Sequence, residues 1–222
     1  MRLYPQLKMV SLIITSYNYA QFVERALRSA LEQSLPRDQF EVVLIDDAST
    51  DNTHKILDNF CDDCRIFRLD QNKGLAAARN FGVEKAKGQF VVFLDADDYM
   101  HRDLLRVQKL FLEENNSIDA VSTDYWLVDE RGQHLQHVDA SLHPIACGIM
   151  FRKDFLHNIG LYDESFRARE EEDLRIRWVK QYNIHNLIIP LYRYRMHGNN
   201  LTKNEDEMKK YAGHLNRKHR HE

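Results

Sequence analysis

The sequence predicts an α/β fold: one domain with a mostly parallel central sheet flanked by helices. Three observations carry this. Four short apolar runs, at residues 9–15 (MVSLIIT), 40–45 (FEVVLI), 65–69 and 89–94 (QFVVFL), have the composition of strands covered on both faces. Helical periodicity fills the gaps between them, and strand–helix alternation is the pattern of a parallel sheet with right-handed crossovers. Three of the four runs end in polar residues suited to a ligand: Thr15-Ser16-Tyr17-Asn18, Asp46-Asp47 and Asp95 to Asp98. In such sheets ligands bind beyond the carboxyl ends of the strands.

The elements follow in order. Asn18 is placed to N-cap a helix, with Gln21 as its capping-box partner. Phe22, Val23, Ala26, Leu27, Ala30 and Leu31 then recur at helical spacing until Pro36. Residues 48–53 form a polar turn, with Ser49 and Asp51 as turn or cap formers, into a short helix ending near Phe60. Residues 74–86 form an Ala-rich helix stopped by Gly88 at C′. In the second half, 104–112 fit a helix, 120–128 with the turn 130–133 fit a hairpin, and 145–151 fit a strand. Residues 171–180 fit a helix with Leu174, Trp178 and Val179 on one face, and 187–194 a last strand. Residues 213–222 are polar and basic, and are expected to fray.

Composition narrows the function. The hydrophobic fraction of 43% and the net charge of −3 exclude a disordered chain and argue against a nucleic-acid binder working by bulk charge. They leave a local phosphate site open. Three cysteines make no disulfide framework in 222 residues, which points to a reducing compartment. Cys61 and Cys64 form a C-x-x-C with no second pair, and read as two thiols beside a strand. No apolar run reaches signal-peptide length at the start, nor the roughly 20 residues of a membrane span anywhere. The expectation is a soluble, cytoplasmic protein with at most peripheral membrane contact.

The acidic residues carry the chemistry. Asp95, Asp97 and Asp98 repel one another, and a hard divalent cation relieves that repulsion. The D-x-D spacing suits two carboxylates on one metal, or one on a metal and one on a ribose; a solvated acidic turn is the plain alternative. Asp47 beside Asp46 adds repulsion without adding a cap. Residues 72–80 open a helix next to Gly74, an arrangement that favours anions, and Arg79 is in range of a diphosphate unless it is an ordinary surface arginine. No G-x-G-x-x-G or G-K-[ST] occurs. Glu170-Glu171-Glu172-Asp173 exceed what helix capping needs, and crowding raises a carboxylate pKa toward the range of a base. His197 closes the last strand region; a structural histidine is the alternative.

Three segments, SLIITSYNYAQFVERALRSALEQS, FEVVLIDDASTDNT and NKGLAAARNFGVEKAKGQFVVFLDADD, resemble family-2 glycosyltransferases of the GT-A fold, the likeness running from about Met9 to Thr202. The resemblance implies one GT-A domain over 1–202, with a nucleotide-binding half (9–98), an acceptor and catalytic half (99–202), and a basic tail (203–222). It implies a nucleotide-diphosphate-sugar donor, UDP-linked as the first guess, a Mn²⁺ or Mg²⁺ ion, and inversion at the anomeric carbon. It also implies a glycan or lipid-linked acceptor, in cell-surface polysaccharide or glycolipid biosynthesis. Thr15 and Tyr17 match nucleoside-pocket positions, Asp47 the carboxylate that reads the base edge, and Arg79 a position near the diphosphate. Asp95 matches the ribose-side Asp, Asp97 the metal-binding Asp with Asp98 beside it, and Gly148, after Cys147, the segment near the transferred sugar. His197 matches a late histidine near the metal or diphosphate. The stretch 169–174 matches the family's G-E-D-x-D-L, with Glu171 at the base position and Glu170 as the neighbouring candidate. A D-x-D phosphohydrolase would follow the second Asp with Gly and Thr or Ser, and here Asp98 and Tyr99 follow. A nucleotidyltransferase would need a Gly-rich loop after the first strand. A non-catalytic sugar-nucleotide binder is the remaining alternative.

Overall fold

The computed structural model describes residues 8–198, 200 and 203–220. The chain start and the boundary at Thr202 lie outside them. The first apolar run is β1 (Val10–Ser16), buried at every position. β2 (Phe40–Asp46), β3 (Arg65–Arg68) and β4 (Phe90–Asp95) join it in the order β3-β2-β1-β4, all parallel. The crossovers are α1 (Val23–Leu31), the short α2 (Thr53–Leu57) and α3 (Leu75–Lys85). This register sets Ser16 beside Asp46 and Thr15 beside Asp95, so the polar strand ends form one rim.

The sheet continues through the second half. β5 (Tyr99–Met100) and α4 (Leu104–Glu114) precede the hairpin β6 (Ala120–Val128) and β7 (His134–Val138). After β8 (Met150–Arg152) come α5 (Lys153–Asn158), α6 (Glu170–Val179), the long β9 (Ile184–Arg195) and α7 (Glu205–His219). β8 runs antiparallel between β4 and β6, and β6 pairs in parallel with β9. β9 also pairs antiparallel with β5, which brings its carboxyl end to the turn that follows β4. Among the described residues no helix is long and apolar enough to cross a membrane.

Several local expectations are corrected. Asn18 does not cap α1. It adopts a left-handed conformation (φ 57°), and its Oδ1 accepts from the backbone N–H of Thr50 (2.8 Å) and Asp51 (3.3 Å). Ser49 Oγ accepts from Asn18 N, and Asp51 Oδ2 from Ala20 N, so the loops after β1 and β2 are stitched together. Gly88 is not a left-handed C′ residue; a Cβ there would lie 2.6 Å from Met9 O and 2.7 Å from Ser11 N, so glycine lets the loop lie against β1. The strand expected over 145–151 is confined to Met150–Arg152, and Val179 is exposed while Leu174 and Trp178 are buried. Residues 213–219, expected to fray, belong to α7, which packs Tyr211 and Leu215 on Phe166 and Ala168.

Candidate active site at the carboxyl ends of β1, β2 and β4

The parallel strands deliver Thr15, Asp47 and the Asp95–Asp98 turn to the same end of the sheet. Thr15 Oγ1 lies 3.4 Å from Asp95 Oδ1. Tyr17 projects from the same rim, 42% exposed, an aromatic face open to a ligand. The carboxylates then divide into distinct environments.

Asp97 and His197 meet. Asp97 Oδ2 and His197 Nε2 are 2.8 Å apart, both side chains largely buried. The imidazole packs on Phe22 (ring centroids 4.7 Å) and edge-on to Tyr19 (6.0 Å). Burial, together with the charges of Asp97, Asp95 and Asp98, pushes the Tyr19 pKa up. A carboxylate oxygen and an imidazole nitrogen side by side are donors of a kind that Mn²⁺ or Mg²⁺ accepts. No group of three or more His, Cys, Asp or Glu side chains converges on a cation position among the described residues.

Asp98, expected beside the metal, does something else. Its Oδ2 accepts from Tyr192 Oη (2.7 Å) and its Oδ1 from Arg195 N (2.8 Å), and it is almost wholly buried. Burial and the neighbouring Asp97 hold its pKa well above the usual carboxylate range. Both oxygens are committed to β9, so Asp98 ties that strand to the site. Arg195 reinforces the tie, donating from Nε to Asp97 O (2.7 Å).

Asp47 is also committed. Its oxygens accept from Lys73 N (2.7 Å) and Gly74 N (2.8 Å), closing the entrance of α3. That arrangement leaves it 3% exposed and organises the loop, in place of the expected open carboxylate for a base edge. Gly148 has φ 73°, and a Cβ there would lie 3.0 Å from the Tyr192 ring, so glycine is required by conformation and by packing.

Arg79, expected to reach a diphosphate, is 1% exposed. Its Nη1 donates to Glu170 Oε1 (2.8 Å) and its Nη2 to Asp95 Oδ1 (3.0 Å) and Oδ2 (3.3 Å). A guanidinium spent on two carboxylates has no reach to a ligand. Glu170 is correspondingly buried and ion-paired, which takes it out of contention as a free base. Its neighbour Glu171 is half-buried at the rim of a cleft of about 20 Å³ lined by Ile145, Ala146, Ile149, Tyr162, Leu174 and Trp178. Burial, then the charge of Glu170, pushes the Glu171 pKa up to about 7. Of the acidic cluster it is the carboxylate with the properties of a general base near neutral pH.

Sequence reasoning gave Tyr19 no role and read Tyr192 and Arg195 only as part of the strand end before His197. A tyrosine three residues past β1 carries no signal of its own, and it is the pairing of β5 with β9 that brings Tyr192 and Arg195 to Asp98.

The comparisons with known proteins agree with this layout. A model described as "Glycosyl transferase family 2" matches residues 11–175, about three-quarters of the chain. The chain belongs to glycosyl transferase family 2. An uncharacterized glycosyltransferase of Rickettsia conorii is 31% identical over 206 residues, covering 87% of this chain and 34% of that protein. The family-2 chain thus spans about a third of the length of that relative. A poly(ribitol-phosphate) β-N-acetylglucosaminyltransferase of Staphylococcus aureus, TarS, is 34% identical over 110 residues, covering 48% of this chain and 19% of TarS. The structure of TarS residues 1–349 in complex with UDP-GlcNAc superposes with a TM-score of 0.77 at 22% identity, covering 88% of this chain and 61% of that one. A mannosyltransferase of Pyrobaculum calidifontis, in complex with GDP-Man and Mn²⁺, gives 0.75 at 20% identity, covering 98% and 66%. These likenesses establish the GT-A fold, with its curled, mostly parallel sheet.

Proposed function

We propose that this chain transfers a hexosyl group from a nucleotide-diphosphate sugar, UDP-linked as first choice, to a hydroxyl of a glycan or lipid-linked acceptor, with inversion. The carrying observation is that Glu171, with its raised pKa, and the Asp97–His197 pair are tied to one strand end, Glu171 through its neighbour Glu170, Arg79 and Asp95. Membership of family 2 and the nucleotide-sugar complexes of the structural neighbours support the reading.

In this mechanism the acceptor hydroxyl loses its proton to Glu171. The freed oxygen attacks the anomeric carbon from the side opposite the diphosphate, and the bond to the diphosphate breaks with its electron pair leaving on the phosphate oxygen. Positive charge develops on the sugar as in other glycosyl transfers. Tyr17 and Thr15 line the nucleoside side, and Asp95 faces the ribose. Asp97 and His197 would hold a divalent cation, which when bound supplies Lewis-acid stabilisation to the leaving diphosphate. An acceptor of cell-surface polysaccharide type fits the relationship to TarS, a poly(ribitol-phosphate) β-N-acetylglucosaminyltransferase by name; a glycolipid acceptor at the cytoplasmic face of a membrane belongs to the same proposal.

The test is a thermal-shift and product assay over a panel of nucleotide sugars with Mn²⁺ or Mg²⁺. A selective rise in melting temperature and release of the nucleoside diphosphate are expected. No shift with any nucleotide sugar at millimolar concentration refutes the donor.

A further inference from the structure

Arg79 joins three parts of the chain that are far apart in sequence. It sits in the middle of α3, and its two terminal nitrogens reach Asp95 at the end of β4 and Glu170 in the first turn of α6. Arg79 and Glu170 are desolvated, at 1% and 3% exposed, while Asp95 is open at 28%. Cys147 Sγ lies 3.6 Å from the same Nη2. Burying such charges is costly, and well-packed apolar residues would hold the elements as firmly. What the ion pairs add is a fixed relation between particular carboxylates.

The start of α6 carries a second sign of constraint. Arg169, immediately before Glu170, is a non-glycine residue in the left-handed region (φ 62°). Such a conformation is strained and persists only where surroundings over-determine it. Here Arg169 is pinned by Glu172 (2.7 and 2.9 Å) and by Met208 O in α7 (3.0 Å). Those contacts fix the helix start from outside, and Arg79 fixes it from inside.

We infer that Arg79 and Glu170 form a positioning pair, whose job is to hold the first turn of α6, and with it Glu171, at a set distance from Asp95. Neither touches substrate. The inference rests on the reading of Glu171 as the base. It replaces a diphosphate contact for Arg79 with a mechanical link between the donor side of the site and the base side.

The pair is tested with Glu170→Gln and Arg79→Lys in the full chain, against Leu156→Ala, a fully buried residue of α5 away from the site. Two measurements are made. Amide hydrogen exchange should quicken at residues 171–174 in Glu170→Gln while β1 and β4 stay protected; unchanged exchange there overturns the tie. Steady-state kinetics should show kcat reduced about a hundredfold, the cost of an ångström-scale misplacement, with the KM for the nucleotide sugar within about threefold of wild type. Arg79→Lys should recover only part of kcat, since one ammonium cannot bridge both carboxylates. An equal fall of kcat in Leu156→Ala, or a loss carried by KM, overturns positioning. If the wild-type chain turns over no nucleotide sugar, the transferase reading fails, and the exchange measurement still decides whether Arg79 and Glu170 hold α6.

Discussion

Glu171 illustrates how one side chain acquires a role from its surroundings. Apolar residues line its cleft, Glu170 adds a like charge, Arg79 partly offsets both, and Glu172 and Tyr162 stand nearby. A base must be deprotonated, so kcat/KM should rise with pH through about 7. Glu171→Gln should lower kcat by roughly a hundredfold to ten-thousandfold and remove that limb. Because the folded chain keeps this proton above the ordinary value of 4.5, stability relative to Glu171→Gln should fall as pH rises from 4.5 to about 7. Melting curves of both proteins over that range check the sign. Asp97→Ala should abolish the melting-temperature rise that Mn²⁺ gives with a nucleotide sugar; an undiminished rise contradicts the cation assignment. Tyr192→Phe leaves the buried Asp98 short of a donor and should cost about 1–3 kcal/mol in urea unfolding. The placement of Asp95 and Asp97 at a strand end and of Glu171 in the first turn of a helix was legible, because strand ends and a crowded helix start are local signals. The commitments of Asp47, Asp98 and Arg79 were not legible, because their partners lie 16 to 97 residues away.

Strands β1, β2 and β4 could be read directly, since burial on both faces forces near-continuous apolar runs. Elements whose stability comes from distant contacts could not. α7 has few apolar residues, so it resembles a frayed tail. Its last turn is held by Asp173 of α6, which is fully buried and pairs with Lys218 (2.6 Å), His219 (2.9 Å) and Arg177 (2.8 Å). Lys218 also meets Asp163, and the pair holds the Asp163 carboxyl well below its ordinary range. Lys218→Ala should therefore speed hydrogen exchange in α7 before the central sheet is affected. Gly88 shows the same limit: its need for glycine arises from the backbone of β1, 77 residues earlier. Gly88→Ala should cost about 1–3 kcal/mol through overpacking, read as a lower denaturation midpoint at unchanged slope.

At the scale of the whole molecule, a net charge of −3 conceals a concentrated arrangement. The parallel half of the sheet presents Thr15, Tyr17 and Asp95 on one rim. The β6–β9 half returns Tyr192, Arg195 and His197 to it, and α6 adds Glu170, ion-paired with Arg79 beside Asp95. The chain covers about a third of the Rickettsia relative's length, and the family-2 match over residues 11–175 takes in β1, β2, β4 and the start of α6. The central claim is that these parts act together on a nucleotide sugar with Glu171 as base. The most direct measurement is nucleoside-diphosphate release from a nucleotide-sugar panel with Mn²⁺, comparing wild type with Glu171→Gln. The account expects release by the wild type with one donor class and a fall of about a hundredfold or more in the variant. Equal release by the two proteins would contradict it.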